Sequence, residues 1–248
     1  MSVPSFCSLR RLRAISSDFQ ELPKAGPLGR RSNLSLGQVC RSVSDINSST
    51  PIYCYVISSV RKKDRILQHY GCGPNWQGGL ITLCTCKHYM RTFLEVSEWP
   101  GTWIAGFSNV RAGSGANVLI YMMRVKHAFE SHYELWHALP RQVRWAKAAD
   151  RKANILGDIY RPLGKTTLKG RFKKASYHQP CLSHVHFDGW VKDIDYKQYR
   201  RAAMLVGDER SSYVWSQPKI VLDQNIGRGQ VKYHLRDLVH NHFSIAAK

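Results

Sequence analysis

Apolar residues in this chain come mostly as short β-branched and aromatic runs, and the pattern becomes regular only after residue 50. The run from Ile52 to Val60, IYCYVISSV, predicts a strand. Leu80 to Leu83 predicts a second, and Thr102 to Phe107 a third, entered through the Pro100-Gly101 turn signal. Behind a Gly/Ser loop from Ala112 to Gly115, Val118 to Val125 predicts a strongly apolar central strand. The order of these runs suggests a meander. Phe129, Tyr133, Leu135, Trp136 and Leu139 recur near a 3.6-residue period, which predicts an amphipathic helix ended by Pro140. Later strands are expected at 184–188, 202–206 and 218–222, with a closing helix from Tyr233 to Phe243. Arg61 to Arg65 reads as a solvated loop, and residues 141 to about 180 as long basic loops on the ligand side. Together these elements give an α+β fold with flanking helices.

Residues 1–50 are rich in Ser, Arg and Gly without sustained periodicity, a composition expected to stay disordered. Two units follow: a basic N-terminal extension over 1–50 and a folded domain over 51–248. Arg10, Arg11 and Arg13 among serines superficially resemble an organellar transit peptide, and a plain tail or an upstream start explains them as simply.

Charge narrows the partners. With 37 Lys and Arg against 17 Asp and Glu, the formal net charge of +20 should attract polyanions in a salt-dependent way. Nucleic acid comes first, DNA ahead of RNA, or a nucleotide; an anionic membrane comes second. No apolar run approaches the roughly 18–20 residues needed to span a bilayer, so a cytoplasmic location is expected. The seven cysteines are odd in number and lack paired CxxC spacing, which suggests reduced thiols. A P-loop, a dinucleotide-binding glycine turn and a serine nucleophile elbow are all missing, so ATP, NAD and serine-hydrolase chemistry gain no support.

The candidate chemistry centres on Asn75 to Lys87, NWQGGLITLCTCK. Its Gly78-Gly79 pair would let backbone N–H groups approach a ligand closely. Strand alternation would place Cys84 and Cys86 on one face, as buried thiols, ligand contacts or a nucleophile. His88 shares their parity, and Cys181-x-x-His184-x-His186 forms a second group. Neither has a zinc-signature spacing, so no metal is assigned and no cofactor is identified. A zinc deaminase signature is also lacking. Lys87 and Arg91, four apart, could clamp a phosphate if a helix follows Cys86. Asp158 and His178 are the best general acid/base pair by residue type. His127, His132 and His137 are spaced by five and walk around a helix rather than aligning. Gly227-Arg228-Gly229 could carry a cation to a phosphate. The basic tract from Arg141 to Lys174, interleaved with Trp145 and Phe172, is the candidate nucleic-acid track.

Several blocks carry a family likeness. They are the strand around Tyr55, Asn75 with Gly78-Gly79 and Thr82 to Lys87, Arg91, Gly101 to Gly106, Tyr121 to Val125, Gly157 to Tyr160, Ser176 to His178, Leu205 to Trp215, and Gly227 to Gly229. Over about 52–240 the chain resembles the second nucleotide-modification-associated domain family, a bacterial and phage group linked to DNA base hypermodification. It departs at Thr102, where an acid is expected, and at Gln230, where a His is expected. The order of turn, strand, loop, strand and helix through Phe129 also looks like the PUA-like modified-base readers of the YTH and EVE type, which implies a small, partly closed mixed β-barrel. These likenesses imply a domain that binds or helps process modified bases or nucleotides. Asn75, Cys86, Trp103, Tyr160 and Tyr177 would then shape a base pocket, with Trp76 and Tyr121 as further aromatic walls. Lys87, Arg91 and Arg228 would hold phosphate. The alternative is an enzyme acting on the base, with Asp158 and His178 moving protons and a Cys84 or Cys86 thiol as nucleophile.

Overall fold

A computed structural model describes residues 19–24, 26–167, 169–227 and 229–246, without the side chains of 195–199. Its centre is a six-stranded mixed sheet. Strands β1 (Pro51–Ile57), β4 (Thr82–Leu83), β5 (Trp103–Ser108), β6 (Leu119–Phe129), β7 (Met204–Val214) and β9 (Gln230–His234) lie in the order β4-β7-β6-β5-β1-β9. Two small ribbons accompany it, β2 (Val60–Lys63) with β3 (Ile66–His69), and β8 (Ile220–Leu222) with β10 (Phe243–Ile245).

The expected meander is corrected here. β1 and β5 run parallel, with Ile52 opposite Trp103 and Ile57 opposite Ser108, whereas the other pairings in this sheet are antiparallel. A parallel pair needs a long crossover, and residues 58–102 supply it. That crossover carries the β2–β3 ribbon and the whole Asn75–Arg91 region, so the candidate chemistry rides on the connection. Among the described residues the sheet stays open, ending at β4 and β9, so the expected barrel closure is not seen.

Both faces of the sheet are covered, which explains why its strands read as continuous apolar runs. Tyr53, Tyr55 and Ile57 join Ile104, Tyr121 and Met123 on one face; Ile52 and Cys54 join Trp103, Ala105, Phe107 and Met122 on the other. The second face is roofed by Val39 and Val43 of α2 (Leu36–Val43), by Ile220, Leu222 and Phe243, and by Leu235, Leu238 and Val239. Those last three lie on a short turn, α6 (Leu235–Asp237), continued by a π-turn over Leu238–His242, so the closing helix expected over 233–243 is confined between two strands.

Residues 19–50 are not a loose extension. α1 (Gly26–Arg30) buries Leu28, and α2 opens with a Ser35/Gln38 capping box. Gln20 is buried and donates to the carbonyls of Gly71 and Pro74 at 2.8 and 2.7 Å. The few apolar residues of this segment are well used, Leu28 joining the core on one face of the sheet and Val39 and Val43 the core on the other. The arginines at 10, 11 and 13 lie outside the described residues.

The chain after β6 forms α3 (His132–Ala138), capped by Ser131, and α4 (Arg141–Ala146), where sequence periodicity had suggested a loop. The expected strand at 184–188 is a series of turns leading into α5 (Trp190–Arg200). No helix among the described residues is long and apolar enough to cross a membrane.

Candidate functional site

Within the Gly-Gly turn of the crossover, Gly78 packs closely against a neighbouring helix while Gly79 faces open space. Asn75 and Thr82 pair as an isolated antiparallel bridge, each backbone N–H donating to the other's carbonyl at 2.8 Å. Gly78 has φ +74°, and a Cβ there would meet Val143 Cα at 3.2 Å and Ala146 Cβ at 3.1 Å. Glycine at 78 therefore serves the turn and the close approach of α4.

Strand β4 is only two residues long, so the alternation expected to align Cys84 with Cys86 is lost at once. Lys87 adopts φ +55° and turns the chain away. Cys84 is buried among Leu80, Leu135, Trp136 and Ile159, while Cys86 faces a different neighbourhood. The two thiols belong to two adjoining polar clusters.

The first cluster holds two buried charges, Lys147 and Asp158, that attract each other without direct contact. Lys147 donates to the backbone oxygen and Oδ1 of Asn75 at 2.8 and 2.7 Å, and Asn75 Nδ2 donates to the Leu156 carbonyl at 2.8 Å. Asp158 accepts from the Thr82 hydroxyl at 2.8 Å and from the Cys84 thiol. Burial pushes Lys147 down to about 8, with the Asp158 charge opposing the fall. Burial also raises Asp158 above the usual carboxylate range, restrained by Lys147. Asn75, Lys147 and Asp158 are inaccessible to solvent. Arg91, equally buried, donates to the carbonyls of Cys86 and Ala203 at 2.8 and 2.6 Å and staples the loop to the chain before β7. It is thus no phosphate clamp. The carbonyl of Lys87 accepts the Arg91 backbone N–H at 3.2 Å, while its Nζ lies 4.9 Å from the centre of the Tyr55 ring.

The second cluster joins residues distant in sequence. Cys72 Sγ lies 3.7 Å from Cys86 Sγ, and Cys86 Sγ lies 4.0 Å from His186 Nε2. On its far side His186 Nδ1 is 3.0 Å from Asp193 Oδ2. The other Asp193 oxygen meets His88 Nε2 at 2.9 Å, and the Tyr160 hydroxyl donates to Oδ2 at 2.5 Å. Burial works against the Asp193 charge, yet His186, His88 and Tyr160 together hold its carboxyl well below the usual range. His184 fixes the backbone of this segment: Nε2 lies 2.6 Å from the Gly157 carbonyl while Nδ1 accepts the His186 N–H at 3.0 Å. Sequence reasoning had noticed Cys86, His88 and His186 in two separate groups. Cys72 and Asp193 carried no local signal, since only the tertiary fold brings them there.

Other expected site residues fall elsewhere. Partial burial and the Arg161 charge lower the His178 pKa against the opposing pull of Asp150, and Asp158's partners do not include His178. Trp103 is a core residue stacked on Tyr213 with rings 6.3 Å apart and 12° from parallel. Tyr177 is buried with Tyr160, Ala149 and Ile194 and donates its hydroxyl to the Arg171 carbonyl. Trp76 and Tyr121 are likewise core residues. Arg228 lies outside the described residues.

An open groove does exist within the basic tract. A cavity of about 340 Å³ is lined by Tyr133, Trp136 and His137 of α3, Arg144 and Trp145 of α4, and Arg161, Pro162, Gly164 and Lys165. Trp145 meets Trp136 edge-on at 5.3 Å and has the guanidinium groups of Arg151 and Arg161 at 5.7 and 5.3 Å from its ring, Arg161 being paired with Asp150 as well. Arg141, Lys152, Lys169, Lys173 and Lys174 are exposed elsewhere in the same tract. Arg171 is spoken for by Glu130 and Glu134. A larger cavity of about 540 Å³ lies under residues 19–24 beside His69 and Trp76, away from both polar clusters.

No protein-family model, curated protein or solved structure matches this chain. The likeness to nucleotide-modification-associated proteins rests on the quoted blocks alone.

Proposed function

We propose that this chain binds nucleic acid, holding an unpaired or extruded base in the groove between α3 and α4 with phosphates along the surrounding cations. The observation that carries the proposal is the Trp136–Trp145 pair flanked by Arg144, Arg151, Arg161 and Lys165 on a chain of net charge +20. Aromatic faces interleaved with cations are what a single-stranded ligand needs, because stacking is tolerant of base identity and the cations track the backbone. The base pocket is thereby moved from Asn75, Trp103 and Tyr177, which are buried, to Trp145 and its neighbours. Arg151 would slide from the indole to phosphate as a base replaces it, exchanging one cation–π contact for a charge-assisted one, while Arg161 stays paired with Asp150 at the rim.

In its sharper form the proposal makes the protein a reader of modified bases, in the manner of PUA-like domains and in the setting of bacterial or phage DNA hypermodification. The test is equilibrium binding of the full chain to single-stranded oligonucleotides, unmodified and hypermodified, at about 0.15 M salt. Trp145→Ala should weaken binding by about 1–3 kcal/mol, roughly 5- to 150-fold. Lys165→Ala should weaken all sequences alike and lower the salt slope by about one. Unchanged affinity in Trp145→Ala would refute the groove, and equal affinity for both base types would refute the reader.

A further inference from the structure

We infer that Cys72, Cys86 and His186 form a zinc site with a free fourth position. The argument is independent of the nucleic-acid proposal. A thiolate sulfur sits about 2.3 Å from zinc and an imidazole nitrogen about 2.0 Å, so tetrahedral geometry places two such sulfurs about 3.8 Å apart and a sulfur and a nitrogen about 3.5 Å apart. The observed separations are 3.7 Å between the sulfurs and 4.0 Å from Cys86 Sγ to His186 Nε2, and all three ligand atoms lie within 4.8 Å of one another. Closing the set around one ion takes about half an ångström off the Cys86–His186 separation and at most about 1.3 Å off the Cys72–His186 separation.

The surroundings match the chemistry of such a site. A metal-bound imidazole usually gives its other N–H to a carboxylate, which fixes the tautomer and strengthens the ligand. His186 Nδ1 faces Asp193 Oδ2 at 3.0 Å, leaving Nε2 toward the thiols. Asp193 is itself held by Tyr160 and His88, so the carboxylate is anchored before any ion arrives. Charge balances at the ion itself, because two thiolates offset a divalent cation. Binding releases the two thiol protons to solvent and involves no change of oxidation state. The His186 side chain is 30% exposed, which gives the ion a way in and leaves the fourth position to water. Three protein ligands and a water are the pattern of a zinc ion that acts on something.

The experiment uses the full chain, reduced and stripped of metal, titrated with zinc against a chromophoric chelator. A cobalt(II) titration runs in parallel. The expected result is one equivalent bound with sub-micromolar Kd, and a cobalt complex with thiolate charge-transfer absorption and intense tetrahedral d–d bands. Cys72→Ser, Cys86→Ser and His186→Ala should each abolish the complex, Asp193→Asn should weaken it by about 10- to 100-fold, and Cys40→Ser and Cys181→Ser should leave it intact. If a ligand variant fails to fold, the wild-type cobalt spectrum still decides. Affinity weaker than micromolar, or cobalt bands without thiolate character, overturns the inference. So does recovery of Cys72 and Cys86 as a disulfide that returns under mild oxidant without metal ever binding to the reduced chain.

Discussion

Substituting either Lys147 or Asp158, two buried charges that attract each other through space, should destabilise the protein unequally and with opposite pH dependence. Each orphaned charge has its own escape, through gain or loss of a proton. In Asp158→Asn the Thr82 hydroxyl keeps an acceptor, but Lys147 loses its counter-charge. Lys147 already sits at about 8 against an ordinary 10.5. Keeping it charged at pH 7 therefore costs about 3 kcal/mol relative to the unfolded chain, and losing the proton altogether costs about 5. The variant can fall no further than that difference through its lysine, about 1–2 kcal/mol at pH 7. This is well below the 3–5 kcal/mol typical of a trapped buried charge. By pH 9 the wild-type lysine is mostly neutral too, so the loss should vanish. In Lys147→Met the orphan is Asp158, whose ordinary value of 3.8 puts protonation at pH 7 at a ceiling of about 4 kcal/mol. Unsatisfied acceptors on Asn75 add about 1–3 kcal/mol. The sign is then reversed: a raised carboxyl stabilises below its unfolded value and loses that contribution as pH rises, so the charge-related part of this loss should shrink toward pH 5. Urea unfolding of both variants and wild type at pH 5, 7 and 9, with m-values compared, tests this. A loss above about 3 kcal/mol in Asp158→Asn, or one as large at pH 9 as at pH 7, refutes the account.

Acid should loosen the residues 19–24 strap. His69 is buried, with Nδ1 3.0 Å from Gln20 Nε2 and Nε2 3.0 Å from Ser59 Oγ, and burial pushes it down to about 3. The unfolded chain binds the proton first, so stability should fall as pH drops from 6.5 toward 3, by at most about 5 kcal/mol, and His69→Phe should flatten that slope in acid unfolding. Gly106→Ala should cost more than about 3 kcal/mol or prevent folding, because its Cβ would lie 2.3 Å from the Tyr121 ring and 2.7 Å from Ile57 Cδ1. A thermal midpoint within a few degrees of wild type would contradict that packing.

The strands were legible in the sequence because their signal is local. Residues 52–57, 103–107 and 119–125 are apolar at almost every position, as strands covered on both faces tend to be, and the helix before Pro140 showed its period. Charge and the aromatic spacing of 141–174 likewise pointed to the tract that lines the groove. Pairing was not legible. Whether β1 meets β5 in parallel depends on where the 58–102 crossover packs, which no window of residues records. Burial of single residues was hidden for the same reason: Trp103, Tyr177, Arg91 and Asp158 are residue types equally at home in a pocket, and only the layers above them decide. The thiol and imidazole cluster is the extreme case, because Cys72, Cys86, His186 and Asp193 come from three segments whose meeting is a property of the packed chain. Sequence alone determined the core strands near 52–57, 103–107 and 119–125 and the net charge of the chain; tertiary structure decided the minor strands and which polar side chains meet, since those depend on long-range packing rather than on local pattern.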